Sequence, residues 1–290
     1  MISDSDKIHF SCKGGFTLKL STAIGAILGL ATLIGCATAT DTKAKGTAAN
    51  ATATAVSTSN IVGTWNRTAT STGSTTNSSG ATVSTTDTET VSITVNTDGT
   101  WLTQFVYSET PQGGATVSSY EQNQGTWSLT GDQVTLTQTQ TRYSSTGDFT
   151  SSVWGSDPVV RSGTVVLING KLYESIWGGL AKAQGATSGL TGTWVQETYL
   201  STSARPYQKE IFTLTPTSSS ANWYYATKAD YSDALIQPSN PVTYTVPEEG
   251  QMVVTYTSNG VTVSRTMFYL ATGSYLAIDT DAACGGLTKQ

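Results

Sequence analysis

The sequence predicts an all-β protein built from two small antiparallel up-and-down β-barrel modules. Charged residues make up only 12% of the chain, against roughly 25% in a typical soluble domain, and Thr, Ser, Gly, Tyr and Trp take their place. Hydroxyl and aromatic side chains suit a pleated, half-buried surface. Short runs of alternating apolar and polar residues, and the turn dipeptides between those runs, are the other two observations that favour this fold class.

The strand period is clearest in residues 91–95, 134–137 and 261–264, where apolar side chains occupy every second position. Turn dipeptides between such runs favour tight hairpins, because both central residues tolerate positive φ. These turn signals are Asp98-Gly99, Gly131-Asp132, Asn169-Gly170 and Asn259-Gly260. Strands joined this closely are antiparallel neighbours, and closure into a barrel is the usual way for a meander to remove its open edges. Residues 229–237 are the one segment that favours a short helix.

Composition divides the chain into segments of different character. Residues 36–59 are rich in Ala, Thr and Ser and lack apolar anchors, so they are predicted to form a disordered linker. The predicted organisation is a signal peptide at 1–35, this linker at 36–59, a β domain at 60–178, a second linker at 179–189, a second β domain at 190–282 and a tail at 283–290.

The two β domains share landmarks in the same order, which indicates an internal duplication. Residues 61–65 correspond to residues 190–194, and each of these segments ends in Gly-Thr-Trp. Further along the chain, residues 125–129 correspond to residues 242–246, and residues 167–173 correspond to residues 270–276. The spacing is shorter in the second copy, so the loops are expected to differ.

The N-terminal segment has the pattern of a secretory signal. Lys13 and Lys19 precede an apolar run at 20–35, which is shorter than the roughly 20 residues that a membrane-spanning helix needs. A basic flank, a short apolar core and a small residue before the cleavage point are typical of a signal peptide.

The end of that run, Leu33-Ile34-Gly35-Cys36, resembles the lipobox of bacterial lipoproteins. The resemblance implies that the leader is cut before Cys36 and that acyl chains such as palmitate are attached there. Several acyl chains give stable anchoring where one does not, so the membrane is the first expected partner. The residue after the cysteine is Ala37 rather than Asp, which favours delivery to the outer membrane.

The opening of each β domain, Gly63-Thr64-Trp65 and Gly192-Thr193-Trp194, resembles the Gly-X-Trp start of lipocalins. In the first domain, Gly63-Thr64-Trp65 is followed by Asp98-Gly99-Thr100, Gly125-Thr126-Trp127 and Gly131-Asp132. This wider pattern is similar to that of the small lipocalin-like domains of bacterial lipoproteins. The resemblance implies an up-and-down barrel whose closed end is plugged by the tryptophan. It also implies an interior that holds an apolar ligand.

The sequence argues against several function classes. Its one histidine, His9, lies in the leader, so the exported protein has no imidazole for Ser-His-Asp or Cys-His catalysis or for a His-ligated metal site. Cleavage removes Cys12 and lipidation uses Cys36, which leaves Cys284 and no disulfide framework. A sparse net charge of −5 does not suit a nucleic-acid partner. We therefore expect no enzymatic activity, no metal and no cofactor.

These observations predict a membrane-anchored lipoprotein of the cell envelope that binds a small apolar ligand or an envelope partner protein. The candidate ligand-binding residues are aromatic positions on the strands, namely Trp101, Phe105, Trp127, Trp223, Tyr225 and Tyr244. Aromatic side chains on strands also pack as ordinary core, so a filled interior is an open alternative. A second alternative is a carbohydrate-binding or adhesive β-sandwich with exposed aromatic residues as stacking platforms. A third is a coat protein without a ligand.

Overall fold

The computed structural model describes residues 51–76, 82–176, 180–186, 189–238, 242–258, 261–279 and 287–290. Within these residues the protein is all-β, and its strands join in one antiparallel sheet, which confirms the predicted fold class at that level. The predicted signal peptide, Cys36 and Cys284 lie outside the described residues. No helix in the described part of the chain has the length and hydropathy that crossing a membrane requires.

The first part of the sheet is a run of long strands that follows a short strand and a single helical turn. These elements are β1 (Ala53–Thr54), α1 (Thr58–Ile61), β2 (Gly63–Thr76), β3 (Thr82–Val95), β4 (Thr100–Pro111), β5 (Val117–Thr130), β6 (Gln133–Ser144), β7 (Gly155–Ile168) and β8 (Lys171–Glu174). The predicted hairpin between β7 and β8 is confirmed, since Asn169 and Gly170 both have positive φ, of 52° and 77°. We call β2–β8 the first unit.

The second part of the sheet has shorter strands. These are β9 (Leu180–Ala183), β10 (Gly192–Leu200), β11 (Tyr207–Leu214), β12 (Ser218–Ala226), β13 (Leu235–Pro238), β14 (Val242–Glu248), β15 (Gln251–Ser258), β16 (Val261–Ala271), β17 (Tyr275–Asp279) and β18 (Leu287–Lys289). The helix predicted at 229–237 is wrong, because a turn and β13 occupy that segment. The carboxylate of Asp233 accepts hydrogen bonds from the backbone N–H groups of Thr227 and Lys228, which favours the turn. We call β9–β17 the second unit.

Each unit has one short strand that pairs with two longer or neighbouring strands of that unit. In the first unit, β18 pairs with β8 through Leu287 and Leu172, and with β2 through Lys289 and Trp65. In the second unit, β9 pairs with β17 and also with β10, where Ala183 lies opposite Trp194. Strand β18, which pairs with both β2 and β8, therefore lies within the segment predicted as a tail.

The two units are joined by backbone pairing and by side-chain contacts. Strands β7 and β10 pair between Arg161 and Leu200 and at two neighbouring positions. Asp132 of the first unit accepts hydrogen bonds from Lys182 Nζ at 2.7 Å and from Tyr275 Oη at 2.9 Å. Burial raises the pKa of Asp132, but these two partners outweigh burial and hold it below the ordinary value. The segment predicted as a linker at 179–189 thus contains β9, which is part of the sheet.

The described end of the predicted disordered linker, residues 51–59, is ordered, so that prediction is wrong there. Strand β1 pairs with the end of β7. The side chains of Ser57 and Asn60 each accept a hydrogen bond from the other's backbone N–H, which forms a capping box for α1. Val56 and Ile61 are buried against the first unit. These apolar contacts offset the ordering entropy, and composition alone did not identify Val56 as an anchor.

Candidate functional site

The two tryptophans of the Gly-Thr-Trp segments occupy matching environments. Trp65 is 1% exposed and Trp194 is 0% exposed. The indole N–H of Trp65 donates to the carbonyl oxygen of Ile61 at 2.6 Å, and that of Trp194 donates to the carbonyl oxygen of Leu190 at 3.0 Å. Both partners lie four residues earlier in the chain. Each tryptophan is therefore fixed at the start of its unit by the same local hydrogen bond and by full burial.

The candidate aromatic residues of the first unit meet in one apolar cluster. Trp101 is buried there, and its indole N–H donates to the carbonyl oxygen of Thr126 at 2.9 Å. Phe105 and Trp127 are half-buried and pack against the same cluster. The indole N–H of Trp127 is also bound, to the carbonyl oxygen of Asn96 at 3.0 Å. These contacts are those of ordinary core packing.

The candidate aromatic residues of the second unit meet in a separate cluster around Trp194. Trp223 and Tyr244 are buried in it, and Tyr225 packs against it half-buried. The Tyr244 hydroxyl donates to the carbonyl oxygen of Thr215. The six aromatic residues thus form two groups, one in each unit, and the structure does not bring all six together.

A buried acid, Glu210 on β11, lies next to two members of this second group, Trp223 and Tyr225. In the sheet register, Glu210 lies directly opposite Gln196 on β10 and opposite Trp223 on β12. Glu210 is only 6% exposed. A hydrogen bond from Trp223 reaches the carboxyl group, while Oε1 has no hydrogen-bond partner in the described structure.

The electrostatics of this site follow from burial. Loss of solvent raises the pKa of Glu210 well above its ordinary value of 4.5, and the hydrogen bond from Trp223 opposes that shift only in part. Burial also raises the pKa of Tyr225 to about 12, with a further contribution from Glu210. A group of this kind, an acid with a shifted pKa among aromatic side chains, is a candidate functional site.

The surroundings of Glu210 change from apolar to polar along the strands. Two residues further along β11 lies Phe212, which is opposite the buried Trp194. Two residues in the other direction lies Gln208, which is half-buried and opposite Tyr225. Glu210 therefore lies between the apolar base of the second unit and a more accessible, hydrogen-bonding layer.

Sequence reasoning missed Glu210 for a physical reason. It alternates with Phe212 and Leu214, which favours an inward position. However, the other face of β11 carries Tyr207 and Ile211. Because both faces hold apolar residues, alternation alone does not decide which one points to the core, and an acid is by default assigned to solvent.

In the described residues, no three His, Cys, Asp or Glu side chains are grouped so that they could hold a metal ion. Comparison of the chain with protein-family models, with curated proteins and with solved structures found no match.

Proposed function

We propose that this protein is an exported lipoprotein of the bacterial cell envelope, cut before Cys36, anchored by lipid on that cysteine and directed to the outer membrane. In this proposal it has two lipocalin-like barrel modules that arose by duplication, and it binds a small ligand without catalysis. The lipobox residues support the anchor, and the matching environments of Trp65 and Trp194 support the duplication. The pairings of β18 and β9 support barrels of eight strands, a size that can hold one small ligand. The short strand β13 is not counted in the second unit, because β12 also pairs directly with β14.

One observation carries the proposed binding function: the unpartnered Oε1 of Glu210 in an aromatic interior. A buried polar atom without a partner costs about 1–3 kcal/mol. A ligand that brings an N–H or O–H donor to Oε1 removes that cost on binding. Its apolar body would contact Trp223, which lies opposite Glu210 in the register, and Tyr225, which is near enough for Glu210 to raise its pKa. The proposed ligand is therefore small and apolar, with one hydrogen-bond donor.

The adhesive alternative receives less support from the surface. Stacking platforms need exposed aromatic rings. In the described part of the chain, the exposed large apolar residues are Val117, Tyr143, Val153, Leu235, Ile236 and Val246. Because Tyr143 is the one aromatic residue among them, these side chains favour a site in the interior over one on a flat outer face.

Binding of N-phenyl-1-naphthylamine to the delipidated protein tests the proposal, since this probe has two aromatic groups and one N–H donor. We expect micromolar affinity, on the order of −8 kcal/mol, with quenching of tryptophan emission. Trp223→Ala should weaken binding about tenfold, or roughly 1.4 kcal/mol. The matched control is Trp127→Ala, a half-buried tryptophan of the first unit. Absence of binding, or equal losses in both variants, would contradict the proposal.

A further inference from the structure

The first unit carries a group of polar residues, most of them acidic, on one face of β3, β4 and β5. Asp87 pairs with Glu109, Glu89 pairs with Tyr107, and Phe105 pairs with Glu121, so these side chains follow one another along one face of the sheet. We call the positions Asp87, Glu89, Tyr107, Glu109 and Glu121 the acidic face.

Three carboxylates of the acidic face raise the pKa of the same side chain, Tyr107. Burial raises the pKa of Tyr107 to about 12, and Asp87, Glu109 and Glu89 raise it further through their negative charges. Tyr107 also hydrogen-bonds to Asp87. The three carboxylates therefore all lie near the Tyr107 hydroxyl.

Positive charge on this face is sparse. Arg67 on β2 contacts Glu89, with 3.5 Å between Nη2 and Oε1. Residues 69–82, which follow in the sequence, contain no charged residue. The four carboxylates of the acidic face thus outnumber the guanidinium group of Arg67, and a cationic ligand would neutralise their negative charge.

Next to the acidic face, three buried oxygens lie in a row across the sheet. Thr103, Asn123 and Thr141 are direct neighbours in the register of β4, β5 and β6. Thr103 is 1% exposed and Asn123 is 5% exposed. Thr103 Oγ1, Asn123 Oδ1 and Thr141 Oγ1 have no hydrogen-bond partner in the described structure. We call these three residues the oxygen row.

The orientation of Asn123 defines what the oxygen row can bind. Its Nδ2 donates to Glu121 Oε1 at 2.8 Å, which directs the amide nitrogen to the acidic face and leaves the oxygen as an acceptor. The two threonine hydroxyls can also accept. A primary ammonium group has three N–H donors and one positive charge, so it matches both the three oxygens and the net charge nearby.

We propose that the oxygen row and the acidic face together bind a small linear polyamine. One terminal ammonium donates to Thr103, Asn123 and Thr141, and a second ammonium lies beside Asp87 and Glu109. The methylene chain between them passes Phe105, whose position lies between the two groups in the register. Thr103 and Asn123 are deeply buried. This burial favours a slender alkylammonium group over a bulkier cation.

Titration of the full delipidated chain with spermidine at constant ionic strength tests this site. We expect saturable binding by calorimetry, weakened at least about tenfold, or roughly 1.4 kcal/mol, by the double substitution Asp87→Asn and Glu109→Gln. Thr103→Val should also weaken binding, while the melting temperature of the free protein should not fall, because valine removes an unpartnered hydroxyl. Glu249→Gln removes one negative charge from an exposed site in the second unit. It is the charge control and should bind as the wild type does.

Two results would overturn this inference. Spermidine affinity that is the same in the Asp87/Glu109 variant and in the Glu249 control would show that the acidic face is not used. Loss of affinity in the acidic-face variant with no effect of Thr103→Val would show diffuse attraction of counterions instead of a buried anchor. Neither result affects the proposed naphthylamine site in the second unit, which is tested by different residues.

Discussion

Replacement of either buried tryptophan, Trp65 or Trp194, should destabilise the protein strongly. Trp65→Ala and Trp194→Ala each remove a large side chain from a packed cluster and leave a cavity, which costs about 3–5 kcal/mol. Denaturant unfolding of each full-length variant measures the loss. Trp127→Ala is the control, since that ring is half-buried and should cost less. Equal effects at all three positions would contradict the roles of Trp65 and Trp194 as buried anchors.

Single residues account for the best and the poorest predictions from this sequence. The Gly-Thr-Trp segments predict buried tryptophans, and Trp65 and Trp194 are both fully buried with their indole N–H groups bound. Such a segment is recognisable because glycine, tryptophan and the following strand lie together in the sequence. Glu210 was not predicted, because its environment is created by strands β10 and β12, which the local sequence of β11 does not specify.

Glu210→Gln should stabilise the protein in a pH-dependent way. The pKa of Glu210 is raised in the folded state, so the unfolded chain loses this proton first as the pH rises. The wild type therefore loses stability from about pH 4.5 upward, until the folded-state carboxyl also ionises. Glutamine does not ionise, so the melting temperature of the variant should exceed that of the wild type more at about pH 8 than at about pH 4.

The exposed acid Glu249 provides the control for this pH dependence. Glu249→Gln should change the melting temperature little at either pH, because that side chain is exposed in the second unit. A Glu210→Gln variant whose advantage does not grow with pH would show that the carboxyl group is not held neutral by burial.

At the scale of elements, the strands were easier to predict than their partners. Alternation within residues 91–95, 134–137 and 261–264 lies inside β3, β6 and β16, because the period of two is a local property. The pairing of β18 with β2 joins residues that are more than 200 apart in the sequence, and β18 is too short to show a period. Its partners depend on which backbone groups the first unit leaves unpaired, and no local pattern records that.

Removal of residues 287–290 should weaken the first unit selectively. Strand β18 supplies hydrogen bonds to β2 and β8, and the backbone N–H of Gln290 donates to the carbonyl oxygen of Thr64 at 2.9 Å. Hydrogen exchange should therefore become faster in these two strands, while β11 and β12 keep their protection. Lys289→Ala is the control, since it retains the backbone. Unchanged exchange in β2 would contradict the pairing of β18.

At the scale of the whole molecule, the two units form one continuous sheet and are not two independent domains. Their connection depends on the β7–β10 pairing, on Asp132 and on a third apolar cluster that includes Ile168 and Leu180. The sequence predicts a linker at 179–189 because Gly and Ala are frequent there. Composition indicates a break between domains, but it does not show that part of the break is a strand.

The proposed anchor is also a property of the whole molecule, and it has a direct test. In cells fed labelled palmitate, the wild-type protein should be labelled and should sediment with membranes, because acyl chains on Cys36 insert into the bilayer. Cys36→Ser should lose the label and the membrane retention together. Cys284→Ser, outside the lipobox, is the matched control and should keep both. A labelled, membrane-bound Cys36→Ser protein would contradict the anchor.

The central claim is that the interior of the second unit binds a small apolar ligand at Glu210. A crystal structure of the protein with N-phenyl-1-naphthylamine bound measures this most directly. The predicted result is a probe beside Trp223 and Tyr225, with its N–H donating to Oε1 of Glu210 at a hydrogen-bond distance of about 3 Å. A probe held in the first unit or on the outer surface, with Glu210 Oε1 still unpartnered, would contradict the claim.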